Sequence, residues 1–362
     1  MNVDFGIYIL TYPGDFHLSV PLIRSLRYFH PDVPIMIVPG EGFDRDNHPF
    51  DVPIMPEPTS GFWGQLGHQD RKFWVFQGPF ERFLYLDADI VCTRDLSPLM
   101  HRIANQAKPF IFANVEFEKY DWCYAIKNHD HAEHDRCVSW VDRGLGNPKL
   151  LVEFDKSYDP YGRMPFNSGI FASSRYALEA CSFEDLYHAE TEFYKTKLGK
   201  DFNWKSADLF YRDQGHLNYL VDKLRLPFVN LQPDGNDVWA GDDCFAESIT
   251  IEHIRNGSLP YSFIHWAGVP RPTPSFFFMK PWNLIHQISS EYSVYSTSRN
   301  YPDPPGYKLW LYFQQHNGYN MSFVHRLKWS VRDVLAVLRN RKHWLCKTLS
   351  RFLERHILWR FS

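Results

Sequence analysis

The chain has 362 residues, enough for one large α/β domain with extensions or for two modest domains. Its 12 Trp, 20 Tyr and 30 Phe supply ample core material, and a net charge of −3 argues against a dominant nucleic-acid role. The charge is uneven: residues 321–362 hold ten Lys/Arg against Asp333 and Glu354, a net of +8 that leaves −11 for the remainder.

The opening stretch, MNVDFGIYIL, lacks the basic start, long apolar core and cleavage site of a secretory signal. No stretch approaches the roughly 18 uncharged apolar residues of a membrane-spanning helix. Six cysteines, scattered from Cys92 to Cys346, form no CxxC pair. Free thiols in a reducing cytosol are therefore expected, not a disulfide framework.

In chain order, Val3–Leu10 reads as a first strand, followed by a polar loop, Thr11–Asp15. Leu18, Leu22, Leu26 and Phe29 have helical spacing, which predicts a helix over His17–Phe29. Pro31 ends it, and Val33–Val38 is a second strand. Strand, helix and strand in succession predict a right-handed crossover and a parallel sheet. Thr11 and Tyr12, in the loop after the first strand, are candidates to hold a nucleotide base or ribose. No GxGxxG or GxxxxGK[ST] supports a dinucleotide site or a P-loop.

Pro39–Gly64 is rich in Pro and Gly, with one short strand expected around Val52–Met55. Gln65–Phe76 is predicted helical and carries Arg71 and Lys72, where a cation meets either a phosphate or solvent. The chain is organised around the next stretch, Glu81–Arg94, ERFLYLDADIVCTR. An apolar run, Phe83–Leu86, ends in Asp87-Ala88-Asp89 and resumes at Ile90-Val91. Carboxylates seldom stay buried unless they are paired or bind a cation. The simplest placement is the carboxyl end of a parallel strand, where open α/β sheets bind ligands. Asp87 and Asp89 then converge on one hard cation. The plainer alternative is a strand-end turn with Asp89 or Asp95 capping the next helix.

Asp95–Gln106 reads as a helix and Pro109–Val115 as a strand. Glu116–Arg163 is irregular; its Cys123, His129, His131, His134 and Cys137 match no common zinc spacing, which favours a solvated, acceptor-binding insertion. Met164–Ser173 places a polar Asn-Ser-Gly at the entry of another strand. Arg175–Lys197 and Asp213–Leu224 read as helices, with Asp213 a natural N-cap. Pro227–Leu231 is a short strand, Gln232–Asn256 an irregular acidic segment. In Tyr261–Arg271, YSFIHWAGVPR, His265 ends an apolar strand, with Gly268 and Arg271 three and six residues on. A strand-end His is either a hydrogen-bonded structural residue or, with that Gly turn and Arg, part of a metal site and phosphate clamp.

Four blocks in this order resemble glycosyltransferase family 8, the retaining GT-A enzymes that include glycogenin and bacterial lipooligosaccharide galactosyltransferases. They are Leu84–Asp89 (LYLDAD), Phe166–Gly169 (FNSG), Asp213–Gly215 (DQG) with Leu217-Asn218, and His265–Gly268 (HWAG) with Arg271-Pro272. The resemblance spans roughly residues 3–285. It implies a GT-A, Rossmann-like α/β fold: a mixed, mostly parallel sheet flanked by helices. It further implies that Asp87, Asp89 and His265 bind Mn²⁺ or Mg²⁺ against the diphosphate of a UDP-sugar, the imidazole favouring Mn²⁺. Asn167 would contact donor or acceptor sugar, and Asp213 and Gln214 would line the reacting face of the donor. Gly268 and Arg271 would meet the diphosphate. The family's Lys-Pro-Trp is replaced there by Arg271-Pro272-Thr273, and a Lys280-Pro281-Trp282 follows nine residues later.

The reading divides the chain into a glycosyltransferase domain (1–290), a linker (291–320) and a basic helical tail (321–362). Leu327, Val331, Val334, Leu335 and Leu338 form one helical stripe, and Leu345, Leu349, Phe352, Leu353 and Ile357 a second. Basic amphipathic helices suit an anionic membrane surface, or else the acidic body of the chain. The expected location is cytoplasmic, peripheral to the inner face of a membrane in the first case, with a glycan or lipid-linked acceptor. Two rival functions remain: an Asp-x-Asp phosphatase or phosphotransferase with Asp87 as nucleophile, and a non-catalytic sugar-nucleotide or glycan binder.

Overall fold

The computed structural model describes residues 3–265, apart from 57–61, 64–65, 68, 115–143, 164, 179–182, 198, 200–208 and 240–248. The linker, the basic tail, the Cys/His cluster at 123–137, Gly268, Arg271 and Lys280 lie outside the described residues.

Six strands build a central sheet: β1 (Val3–Thr11), β2 (Ile35–Pro39), β3 (Phe80–Asp87), β5 (Ile111–Ala113), β6 (Ile170–Ser174) and β7 (Phe228–Asn230). Their order is β2-β1-β3-β6-β5-β7. All pairings are parallel except those of β6, which runs against both β3 and β5. The expected mixed, mostly parallel α/β sheet flanked by helices is therefore the observed architecture. Helix α1 (Phe16–Phe29) makes the β1-to-β2 crossover.

Residues alternate between faces over Ile7–Leu10 of β1 and Phe83–Leu86 of β3, as strand geometry requires. Ile7, Ile9, Leu84 and Leu86 enter a core with Leu22, Ile23 and Leu26 of α1 and with Leu99 and Ile103 of α2 (Ser97–Asn105). Tyr8, Leu10, Phe83 and Tyr85 enter the opposite, aromatic core with Phe73, Trp74 and Phe76. Helices α4 (Phe183–Lys197) and α5 (Arg212–Lys223) close that face through Phe183, Phe193, Leu217 and Leu220. Burial on both faces explains why the strands read as continuous apolar runs. A shorter helix, α3 (Pro148–Phe154), is capped by Asn147, whose Oδ1 accepts from the Lys149 and Leu150 amides.

The strand that carries the carboxylates does not continue through them. After Asp87 the chain turns at Ala88-Asp89 and enters a second sheet as β4 (Ile90–Cys92). This sheet has the order β4-β9-β8, with β8 (Asp237–Trp239) and β9 (Phe263–His265) running parallel and β4 against them. Its own small core includes Val91, Val238 and Ile264, backed by Ile254 of α6 (Ile251–Arg255).

Several elements differ from the sequence reading. Gln69–Gln77 is a 3-10 helix, not an α-helix, and Asp70 and Lys72–Phe76 are all buried. A segment buried on nearly every side has no amphipathic face to set a 3.6-residue period. The helix expected from Arg175 begins at Phe183, because Tyr176 sits at a left-handed φ of 59° in a turn after β6. The segment read as irregular, 232–256, contains β8 and α6. Of the cysteines, Cys92 is described and is a free, buried thiol. Among the described residues no helix is long and apolar enough to cross a membrane.

Candidate active site

Backbone register assembles the site. Asp87 closes β3, and its amide donates to the Gly169 carbonyl at 2.8 Å, where antiparallel β6 begins. The entry of β6 therefore lies against the exit of β3. One step beyond Asp89, Ile90 pairs with His265. That pairing carries His265, 176 residues downstream of Asp89 in sequence, to the carboxylate turn. One ligand atom from each of Asp87, Asp89 and His265 lies within 4.8 Å of the others.

The donor set fits a divalent ion. Two carboxylates and an imidazole suit Mn²⁺, which tolerates nitrogen better than Mg²⁺ does. The wall behind them is a glycine: a Cβ on Gly169 would lie 2.8 Å from His265 Cε1 and 3.0 Å from Asp87 Oδ2. The Asp87 and Asp89 side chains are about one-third exposed (32% and 30%), whereas His265 is buried at 3%. His265 Nε2 is 3.5 Å from Asp89 Oδ1, and its Nδ1 is 3.5 Å from Asp237 Oδ2. Burial works against an imidazolium here, but Asp237 and Asp89 outweigh it and push the ring's pKa up to about 10. Burial raises the Asp87 pKa, only partly offset by Lys72, while Asp89 and Asp213 raise it further. For Asp89, burial is overcome by His265, and its pKa falls. Asp87, Asp89 and Asp237 thus gather around His265.

Opposite the ligands stands Asp213, in the first turn of α5, where the helix dipole favours a carboxylate. Helix α5 is fixed to the β6 entry by Asn218, which donates to the Phe166 carbonyl (2.9 Å) and accepts from the Phe166 amide (3.0 Å). Asp213 thereby meets Ser168, whose hydroxyl donates to Asp213 Oδ2 at 2.7 Å. The Lys72 ammonium is turned inward and is 3% exposed. It lies 2.5 Å from Asp213 Oδ2 and 3.5 Å from Asp87 Oδ1, and donates to Ser168 Oγ at 3.1 Å. Burial disfavours the ammonium, but Asp213 and Asp87 raise its pKa. The Tyr85 hydroxyl donates to Asp87 Oδ1 at 2.5 Å, beneath the same cation.

The remaining predicted residues surround this centre. Asn167 is half-buried; its Oδ1 accepts from the Gly169 amide at 2.7 Å and also faces Gly169. Gln214, half-buried, sits beside Pro165, both lining the surface where Gly144 lacks a Cβ. Thr11 is fully buried and its hydroxyl accepts from Ser19, whereas Tyr12 is half-buried. Arg71 stays at the rim, donating to the Pro39 and Gly40 carbonyls.

Four residues were not singled out by the sequence. Ser168 lay within the Asn-Ser-Gly block. Asp15, buried after β1, has its carboxyl pKa pushed up to about 8 by burial and by the charges of Asp89 and Asp87. Asp237 approaches His265 Nδ1, and Asn114 Nδ2 donates to Asp237 Oδ1 at 2.6 Å. No spacing rule points to any of the last three.

No protein-family model matches the chain, and no curated protein matches it in sequence. Solved structures similar to it include the galactosyltransferase LgtC in complex with donor and acceptor sugar analogs. It is 13% identical with a TM-score of 0.48, over 82% of this chain and 98% of that one. The glycosyltransferase GlyE of Streptococcus pneumoniae TIGR4 gives 14% and 0.43, over 82% and 67% of the respective chains. The bifunctional glycosyltransferase WbbM gives 12% and 0.44, over 82% and 52%. Likenesses at this level do not fix an activity, which has to be argued from the site.

Proposed function

We propose that this chain is a metal-dependent glycosyltransferase that moves a hexose from a UDP-sugar to a hydroxyl of a glycan, glycolipid or similar acceptor, with retention of configuration. One observation carries the proposal: Asp87, Asp89 and His265 converge at the carboxyl end of β3, with Asp213 held opposite by Lys72 and Ser168. The four-block resemblance to family 8 supports the choice of donor.

Asp87, Asp89 and His265 would hold Mn²⁺ or Mg²⁺, which when bound neutralises the departing diphosphate. Tyr12 takes the nucleotide side, and Thr11, with its hydroxyl engaged by Ser19, contributes shape. Gly268 and Arg271, three and six residues after His265, are the positions that the family resemblance assigns to the diphosphate, where a guanidinium suits the phosphate oxygens. Lys72 works from beneath, its contact with Asp213 Oδ2 holding that side chain towards the donor sugar. Gln214 and Asn167 position donor and acceptor hydroxyls. The acceptor oxygen bonds the anomeric carbon on the face that UDP leaves, and the acceptor proton departs with the diphosphate. A phosphatase with Asp87 as nucleophile leaves the convergence of His265 and of the Lys72–Asp213 pair on the same centre unexplained.

The test is a hydrolysis screen of UDP-sugars with Mn²⁺, comparing wild type with Asp89→Asn. Mn²⁺-dependent release of UDP by the wild type alone supports the proposal. Turnover of phosphomonoesters through an acid-stable acyl-phosphate, with no UDP-sugar cleaved, overturns it. The +8 charge of residues 321–362 supports contact with an anionic membrane carrying the acceptor. Liposome sedimentation unchanged by deleting that segment would refute the contact.

A further inference from the structure

We infer that Asp237 is a positioning residue that selects the ligand tautomer of His265, and that Asn114 locks Asp237 in the orientation this needs. The inference rests on the metal reading above and concerns residues outside the ligand set.

The two nitrogens of His265 face different carboxylates. Nδ1 looks at Asp237 Oδ2 and Nε2 at Asp89 Oδ1, each at 3.5 Å. An imidazole that ligates a cation is neutral and has one N–H. Placed on Nδ1 toward an acceptor-only carboxylate, it leaves the Nε2 lone pair on the side of Asp87 and Asp89. That is the tautomer a cation requires, and a carboxylate behind a ligating His also raises its basicity.

Asp237 is itself tied down. Its side chain is 11% exposed, and its Oδ1 accepts from Asn114 Nδ2 at 2.6 Å. The same Nδ2 donates to the Gly235 carbonyl at 3.0 Å, two residues before Asp237. Asn114, 4% exposed, directly follows β5 of the large sheet, and its carbonyl accepts from the Asn167 amide at 3.4 Å. The line Asn167–Asn114–Asp237–His265 thus crosses from the large sheet to the small one. It sets His265 in register with both walls of the site.

A consequence separates this role from general packing. In Asp237→Asn, Asn114 still donates and claims the new amide's oxygen. The amide's NH₂ then faces Nδ1, which must accept, and the ring proton moves to Nε2, pointing into the cation site. Removing Asn114 as well frees the amide to flip and present oxygen to Nδ1. The double variant is therefore expected to bind metal better than the single one, the reverse of what additive structural damage gives.

The experiment titrates Mn²⁺ into the full chain and reads free Mn²⁺ by electron paramagnetic resonance, with circular dichroism and thermal unfolding as checks on folding. Asp237→Asn is expected to weaken Mn²⁺ binding about 10- to 100-fold. Asn114→Ala with Asp237→Asn should recover part of that loss. Asn114→Ala alone, with the native carboxylate kept, should lose only a few-fold and tests the lock even if Asp237→Asn does not fold. Wild-type affinity in Asp237→Asn, or a double variant weaker than the single one, overturns the inference while wild type and Asp89→Asn still differ. A wild type that takes up no Mn²⁺ overturns the metal reading and the inference together.

Discussion

Replacing Gly169 with alanine should damage the site far more than the fold. The new Cβ would lie 2.8 Å from His265 Cε1 and 3.0 Å from both Asn167 Oδ1 and Asp87 Oδ2. Carbon atoms prefer about 3.5–4.0 Å, so ring or strand must yield by roughly 0.7 Å or more. His265 ends the middle strand of the small sheet and is 3% exposed, so it cannot retreat without moving β9. Overpacking of this kind costs about 1–3 kcal/mol. For a domain of this size that is a fall of roughly 2–10 °C in Tm. A ligand displaced by close to 1 Å can cost about 100-fold in rate. Mn²⁺ titration and Mn²⁺-dependent UDP-sugar turnover should therefore fall roughly 10- to 100-fold while the chain stays folded. Gly42→Ala is the control. It strains a backbone at φ +74° but meets no atom within 4 Å, so it should lower stability and leave Mn²⁺ affinity alone. Wild-type turnover and metal affinity in Gly169→Ala would refute the described arrangement of ligands.

Three further outcomes are expected. Lys72→Met strands Asp87 and Asp213 beside each other without their cation, and should cost about 3–5 kcal/mol in denaturant unfolding at neutral pH; an unchanged midpoint would contradict the buried clamp. Asp213→Asn should leave UDP affinity within a few-fold of wild type and lower turnover, and an equal loss of nucleotide affinity would count against its role at the sugar. His216 lies buried 2.7 Å from Glu190 and 3.7 Å from Asp70; burial opposes its charge, yet these partners push its pKa up to about 10. Its folded pKa exceeds the unfolded value of about 6.5. Its contribution is therefore complete below pH ~6.5 and lost as pH rises towards ~10. The free energy of unfolding should fall by about a few kcal/mol across that window and fall less in His216→Asn.

The sequence was most legible where one physical signal dominated. The double-sided burial of β1 and β3 wrote itself as unbroken apolar runs, and the carboxylates ending the second run marked the ligand-binding edge. It was least legible where partners are remote. β6 looked like any other strand, because nothing local records that it runs antiparallel to β3. β8 has three residues and pairs only with β9 among the described strands, too short a segment to show a period. Asp237 consequently read as part of an acidic loop. Lys72 read as a helix cation meeting either a phosphate or solvent, yet the aromatic burial of Gln69–Gln77 turns it inward onto Asp213 and Asp87. In the run Asp70-Arg71-Lys72 nothing local separates the buried lysine from its charged neighbours, and its partners Asp87 and Asp213 lie far away in sequence.

The most direct test of the central claim is calorimetric titration of UDP into the full chain with and without Mn²⁺. Wild type is predicted to bind UDP measurably only when Mn²⁺ is present, and Asp89→Asn to lose that dependence together with the binding. Absence of UDP binding to wild type at saturating Mn²⁺, or equal Mn²⁺-dependent binding by Asp89→Asn, would contradict the account.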